Sequence, residues 1–515
     1  MTQLSFDSLQ RSLDEIDARA PWDRQGSSRE SNEARDSLVS QSSWGQGSND
    51  PRWGDYKKYA LNFIDFIDEA PTTYHAVENF ASRLERHGFT YLPEREDWTK
   101  LMRKGRRFYT TRNGTSLVAF VVGKNFRPAN GAAITAAHID ALTLKVKPAS
   151  AKDNVDGFRL IGVAPYAGAL SAQWWDRDLG MAGRLVVRQG STVSQKLVHF
   201  PHPVGIVPSL APHFGAAAQG PFNKETQMVP IVGLVDDGDN SEPTDEEKKS
   251  PLYGKHDIAI LRALAKQAGI NVSDILQAEL EMFCTQKGTL GGFSGDLMFC
   301  PRIDDKLCSY ATLHGLLESL DSIEAQDKLS IVALYDNEEI GSLSRQGAQG
   351  NILESSIERL LSLFDSDGEQ VRQFYANSFF ASSDVIHAVN PNFSDVYLEH
   401  HKPRLNVGIT VSWDPNGHMT TDAVSAALVE EVCRRTDNKV QYFQIRNDSR
   451  SGGTVGPYIS SKNGIRSIDL GIPQLAMHSS RATTGSKDVW LGVRFYKAFF
   501  EQWGAVDAEF KKGDL

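Results

Sequence analysis

The spacing of apolar residues divides the chain into stretches of different character. Near the N-terminus Phe6, Leu9, Leu13 and Ile16 recur at helical spacing among Asp, Glu, Arg and Ser, and Pro21 ends the pattern. This predicts an isolated amphipathic helix over residues 4–20. The polar stretch that follows is rich in Ser, Asn and Gly and reads as a flexible linker to about residue 50. A helix tethered in this way is a contact segment or a removable pro-segment, or else folds back on the domain.

Ordered structure is expected from near Tyr56. YALNFIDFIDEA reads as one helix, and the segment from Pro71 to Tyr74 opens a second. The runs SLVAFVVG (116–123) and GAAITAAHID (131–140) are continuous and apolar, as in strands of a sheet covered on both faces. Between about 148 and 290 the texture changes to turn residues with short strand-like runs such as RLVVRQ and MVPIVGLV, which predicts an inserted, partly β domain. Helix and parallel-strand alternation returns after Cys300, with LSIVALYD (329–336) and SIDLGI (467–472) as strands. The fold class expected is α/β: a three-layer α/β/α sandwich interrupted by a β-rich insertion. The expected divisions are 1–50 (helix and linker), 51–147 and 291–515 (the two parts of the sandwich) and 148–290 (the insertion).

Composition narrows the function classes. The formal net charge of -10 and the scattering of Lys and Arg argue against non-specific nucleic-acid binding. None of the four cysteines forms a Cys-x-x-Cys pair, which disfavours both a disulfide framework and a thiolate zinc site. No apolar run approaches the roughly 20 residues that cross a bilayer. The N-terminus has neither a basic nor an apolar signal region, so synthesis in the cytoplasm is expected. No glycine-rich phosphate loop is present.

Five places put metal-binding residue types at strand ends or in adjoining loops. In Ala-Ala-His138-Ile139-Asp140 the imidazole and the carboxylate share a face, so His138 can bind a metal while Asp140 orients it. In Pro301-Arg302-Ile303-Asp304-Asp305-Lys306, Asp304 is a candidate to bridge two cations; Asp305 and Lys306 also suit an ordinary helix start. Glu338 and Glu339 follow the apolar run LSIVAL, and adjacent carboxylates at the mouth of a buried strand are costly unless paired or metal-bound. One can bind metal while the other holds the attacking water. Asp384 is a candidate terminal ligand, with His387 as a competitor, and His478 can close a second metal site. Imidazole and carboxylate without thiolate suit zinc, manganese or cobalt. Two such cations about 3.5–4 Å apart can activate a water and polarise a carbonyl. Deacylases, carboxypeptidases and phosphoesterases use paired metals too.

The blocks FIDEAPTTYHAV, AAHIDALTLKVKP, WWDRDLGMAGRL, PRIDDKL, LYDNEEIGSLSRQGA, SSDVIHAVNPNF and AMHSSRATTGSKD occur in this order over most of the chain. With them the chain resembles the aspartyl-aminopeptidase-type (M18) zinc metallopeptidases, most closely their fungal vacuolar members. The resemblance implies an aminopeptidase with two divalent ions per subunit, zinc by preference. His138, Asp304, Glu339, Asp384 and His478 would be the metal ligands, with Asp304 bridging, Glu338 as general base and Asp140 supporting His138. It implies a dodecamer assembled through the β-rich domain, with His213 reaching a neighbouring subunit's active site. It also implies that the N-terminal helix, through Phe6, Leu9, Leu13 and Ile16, is a propeptide that self-associates and binds a selective-autophagy cargo receptor for delivery from cytoplasm to vacuole. Acid-selective relatives carry lysines where this chain has Val407 and Ser412, which points to neutral, leucine-like N-terminal residues. The alternatives are a cytoplasmic acid-selective enzyme and a catalytically silent scaffold.

Overall fold

The computed structural model describes residues 52–102, 105–235 and 241–510. The expected N-terminal helix, including Phe6, Leu9, Leu13 and Ile16, lies outside the described residues. The first described helix, Trp53–Glu69, buries Ala60, Phe63, Ile64 and Ile67 along one stripe. The second, Thr73–Arg86, is capped by Thr72, whose hydroxyl accepts the His75 N–H at 3.4 Å, and it buries Ala76, Val77, Phe80 and Leu84.

In chain order the first strands are β1 (Thr90–Tyr91), β2 (Arg107–Arg112), β3 (Ser116–Val122) and β4 (Ala132–His138). Then come β5 (Thr143–Ala151), β6 (Phe158–Tyr166), β7 (Leu179–Gln189), β8 (Thr192–His199), β9 (Ile231–Leu234) and β10 (Ile275–Cys284). After β11 (Thr289–Gly291) and β12 (Leu297–Cys300) follow β13 (Leu329–Tyr335), β14 (Phe379–Ser383) and β15 (Ile386–His387). The last are β16 (Ile409–Trp413), β17 (Val440–Gln444), β18 (Arg466–Gly471), β19 (Pro473–Gln474) and β20 (Ala482–Gly485).

A nine-stranded sheet runs in the order β1-β2-β3-β13-β4-β14-β18-β16-β17. Its centre is parallel: β13 and β14 flank β4, and β18 flanks β14, all in one direction. Every residue of β3, β4 and β13 is buried, as continuous apolar runs require when both faces are covered. Alternation then divides the side chains. Ala133, Ala137, Val332 and Leu334 join a core with the helices Trp53–Glu69, Ile303–Glu318 and Asp488–Asp507. Ile134, Ala136, Ile331 and Ala333 join a second core with the helices Ile352–Leu361 and Gly456–Asn463. The expected three-layer α/β/α sandwich is therefore present.

Between β4 and β11 the chain builds a separate six-stranded sheet, β8-β7-β10-β5-β6-β9, antiparallel throughout. It has its own core, in which Leu185, Val187, Leu280 and Met282 pack with Leu261 and Leu264 of the helix Ile258–Ala268. No helix among the described residues is long and apolar enough to cross a membrane.

Candidate active site

The parallel strands deliver their carboxyl ends to one place, as open α/β sheets do. His138 is the last residue of β4 and pairs in register with Tyr335, the last residue of β13. The turn that leaves β13 therefore emerges beside His138 and carries Glu338 and Glu339. Asn337 (φ 62°) and Gly341 (φ 98°) bracket this turn in left-handed conformations, and the glycine takes its own without steric cost. Asp384 follows β14 directly, and His478 lies in the loop between β19 and β20. Asp304 stands at the head of the helix Ile303–Glu318, where Arg302 is left-handed (φ 55°) and Asp304 itself is extended (φ -75°, ψ 116°). Asp304 and Asp305 are joined by a cis peptide bond.

These residues meet. The His138 Nε2 lies 3.2 Å from Asp304 Oδ1, 3.7 Å from Asp384 Oδ1 and 3.8 Å from Glu338 Oε2. The His478 Nε2 lies 3.4 Å from Asp304 Oδ2 and 3.6 Å from Glu339 Oε2. Asp304 thus turns one oxygen toward each imidazole. Asp305 is also close, since ligand atoms of His138, Asp305 and Asp384 fall within 4.8 Å of one another. Its carboxylate, however, accepts the Cys308 N–H at 3.3 Å and is fully buried. We read Asp305 as the cap of its helix, because Asp304 alone faces both histidines.

The His138 Nδ1 is 3.1 Å from the Asp140 carbonyl oxygen and 3.3 Å from its Oδ1. A proton on Nδ1 donates in that direction and leaves the Nε2 lone pair facing the carboxylates. Asp140 does more than orient this ring. Its Oδ1 accepts the Glu338 N–H and its Oδ2 the Glu339 N–H, both at 3.2 Å. One carboxylate therefore holds His138 and the glutamate turn together. Behind them, Lys306 Nζ donates to the Ile139 carbonyl at 2.5 Å and Ser309 Oγ to the His138 carbonyl at 2.6 Å.

The electrostatics are those of a site built for positive charge. Burial, then the Asp384, Asp140 and Asp304 carboxylates, pushes Glu338 up to about 8, against the opposing pull of His138. Glu339 is raised well above its usual range by burial and by Asp304, with Asp140 and Glu338 adding to it. Burial also raises Asp384. For His138 burial opposes the charged ring, but Asp384, Asp140 and Asp304 outweigh it and raise its basicity. Glu339 Oε1 is buried without a hydrogen-bond partner. Crowded carboxylates, two imidazoles and an orphaned carboxylate oxygen fit divalent cations, which relieve this repulsion and satisfy that oxygen.

The cluster lies at the wall of a cleft of about 350 Å³. Its other lining includes Val385, Ile386, Met419, Phe443, Ile445 and Met477, with Ser412 and Thr454 among the polar groups. His387 lines the same cleft, its ring 5.7 Å from Phe443. Val407 is not among the lining residues. His213 lies apart from the cleft, exposed on the turn Pro212–Ala218. Three further polar residues build the surroundings of the site and were not singled out from sequence: Tyr166, Asn337 and Asp469. Asp469 was detectable as a charge inside the apolar strand SIDLGI. It is buried, and it accepts hydroxyl hydrogen bonds from Thr420 at 2.7 Å and Thr454 at 2.6 Å.

Comparison with known proteins adds to this geometry. The family described as aminopeptidase I zinc metalloprotease (M18) matches residues 66–500. Vacuolar aminopeptidase 1 of Saccharomyces cerevisiae is 52% identical over 463 residues, covering 88% of this chain and 90% of the relative. The aspartyl aminopeptidase of Aspergillus oryzae is 36% identical over 480 residues, covering 87% of this chain and 96% of the relative. The solved structure of the mApe1 dodecamer of S. cerevisiae superposes with a TM-score of 0.81 at 48% identity, covering 89% of this chain and 100% of the solved one.

Proposed function

Because the chain belongs to the aminopeptidase I (M18) family of zinc metalloproteases, we propose that it removes neutral, leucine-like N-terminal residues from peptides at the cluster around Asp304, which would hold two zinc ions. His138 and Asp384 would hold one ion, His478 and Glu339 the other, and Asp304 both. The observation that carries this reading is the placement of the two Asp304 oxygens, 3.2 Å and 3.4 Å from the two imidazole nitrogens. Bound there, zinc supplies Lewis-acid polarisation of the scissile carbonyl and an acidified water. The chain supplies the rest. Glu338 takes the proton of the attacking water and returns it to the leaving amine, a role supported by its place at the edge of the ligand cluster, 3.8 Å from His138 Nε2. Asp140 keeps Glu338 and His138 in register by binding the backbone of one and the ring of the other.

Preference for neutral residues is supported by the apolar walls of the cleft and by Ser412 in its lining. The test is a panel of N-terminal aminoacyl peptides, free and N-acetylated. Cleavage of free leucyl substrates well ahead of aspartyl and glutamyl ones is expected, with the acetylated set resistant. Preference for acidic residues, or turnover of blocked peptides, overturns the assignment.

The assembly and destination belong to the same proposal. By likeness to the mApe1 dodecamer, twelve copies would associate; the family resemblance would place that association on the inserted six-stranded sheet and present His213 to a neighbouring site. By likeness to vacuolar aminopeptidase 1, the enzyme would act in the vacuole. Residues 1–50 would serve as a propeptide read by a selective-autophagy receptor, and 51–147 with 291–515 as the catalytic domain, although β5 of the inserted sheet already begins at Thr143.

A further inference from the structure

Tyr166 ends β6 of the six-stranded sheet, not a strand of the catalytic sheet. Its ring is buried, yet its hydroxyl reaches the back of the active site. The hydroxyl donates to Asp140 Oδ2 at 2.7 Å and accepts from Asn337 Nδ2 at 3.1 Å. Asn337 in turn is held from the other side, its Oδ1 accepting from Ser344 Oγ at 2.8 Å and Gln346 Nε2 at 3.2 Å. Asn337 is the left-handed residue that opens the Glu338–Glu339 turn, and Asp140 accepts the amides of both glutamates. One hydroxyl therefore ties together the two groups that fix the turn.

We propose that Tyr166 is a positioning residue for hydrolysis: its hydroxyl, supplied by the inserted sheet, locks Asp140 and Asn337 so that Glu338 and Glu339 face the cleft. Tyr166 is not among the residues that line the cleft, so in this role it acts through these neighbours. The ring has its own anchor. Lys145 Nζ sits 4.9 Å from the ring centroid and is paired with Glu281 of β10. The catalytic turn is thus referenced to the second sheet as well as to β13. A hydroxyl in this role is worth its orientation of neighbours, and losing such a support lowers activity more than it lowers binding.

The inference rests on the proposed site, and the experiment separates the two. In the full-length zinc enzyme Tyr166→Phe keeps the ring beneath Lys145 and removes only the hydroxyl. The expected result is a kcat lower by about tenfold, with KM, zinc per chain and the thermal unfolding midpoint as in wild type. Combined with Asp140→Asn, Y166F should add no further loss, because both act on one turn. Three results overturn the inference: wild-type kcat in Y166F, a loss that follows zinc content or stability, or costs that multiply in the double variant. A wild-type chain that removes no N-terminal residue sinks the site reading and this inference together. An active wild type beside an unimpaired Y166F sinks the inference alone.

Discussion

Glu338 and Glu339 are neighbours in the chain with opposite surroundings. Glu338 Oε2 lies toward His138 at 3.8 Å, whereas Glu339 Oε2 lies toward His478 at 3.6 Å. A tight turn bracketed by the left-handed Asn337 and Gly341 carries both glutamates. If Glu338 handles the proton, Glu338→Gln removes the acceptor while keeping shape and the N–H to Asp140. We expect kcat to fall by roughly 10²–10⁴-fold with zinc content unchanged, read by steady-state kinetics on protein of measured metal content. Activity close to wild type would remove Glu338 from that role. At this scale the ligand-type residues His138, Asp304, Glu338, Glu339, Asp384 and His478 were legible as candidates, and all of them line the cleft, whereas Asp469, which lines it too, was not singled out. Which glutamate faces which histidine was not legible, since that depends on backbone angles at Asn337 and Gly341. Tyr166 was also hidden. Its sequence neighbours say only strand, and its contacts lie 26 and 171 residues away.

Asp384 depends on how two elements approach. Its N–H donates to the Leu470 carbonyl at 3.1 Å, continuing the parallel pairing of β14 with β18. The next residue, Gly471, leaves no room: a Cβ there would fall 1.4 Å from the Asp384 carbonyl oxygen. Gly471→Ala must displace the Asp384 backbone or its own strand. The expected outcome is a loss of stability of order 1–3 kcal/mol together with lower zinc per chain, measured by denaturant unfolding and metal analysis. Wild-type stability and full zinc in G471A would show that Asp384 is not held by this contact. The long elements were legible from periodicity and burial: β3, β4, β13 and β18 lie where continuous apolar runs placed strands. The short β11, β12, β19 and β20 were not, because two to four residues carry no period. The segment at Asp304 and Asp305 shows a subtler limit. A helix start was a fair reading, and Asp305 does cap, yet the left-handed Arg302 frees Asp304 from the helix to face both histidines.

Across the whole molecule the chain divides its tasks. A sheet parallel at its centre and covered on both faces gathers ligands at the carboxyl ends of its central strands, and an antiparallel sheet with its own core is inserted between β4 and β11. The change of texture in the sequence marks that insertion, because its strands mix exposed and buried positions, whereas every residue of β3, β4 and β13 is buried. The N-terminal segment lies outside the described residues, and its proposed role rests on the family resemblance together with its amphipathic pattern. If Phe6, Leu9, Leu13 and Ile16 form the self-associating face, Leu9→Asp with Leu13→Asp should abolish higher-order clustering and leave peptidase activity intact. Sedimentation of the full-length variant beside wild type reads this directly, and unchanged clustering would count against a propeptide of that kind.

The account turns on two cations sharing Asp304. Crystals of the zinc-loaded enzyme, with diffraction collected on both sides of the zinc absorption edge, address this most directly. Two anomalous peaks per chain are predicted about 3.5–4 Å apart, one beside His138 and Asp384, the other beside His478 and Glu339, with Asp304 between them. A single peak, or peaks away from these side chains, would contradict it.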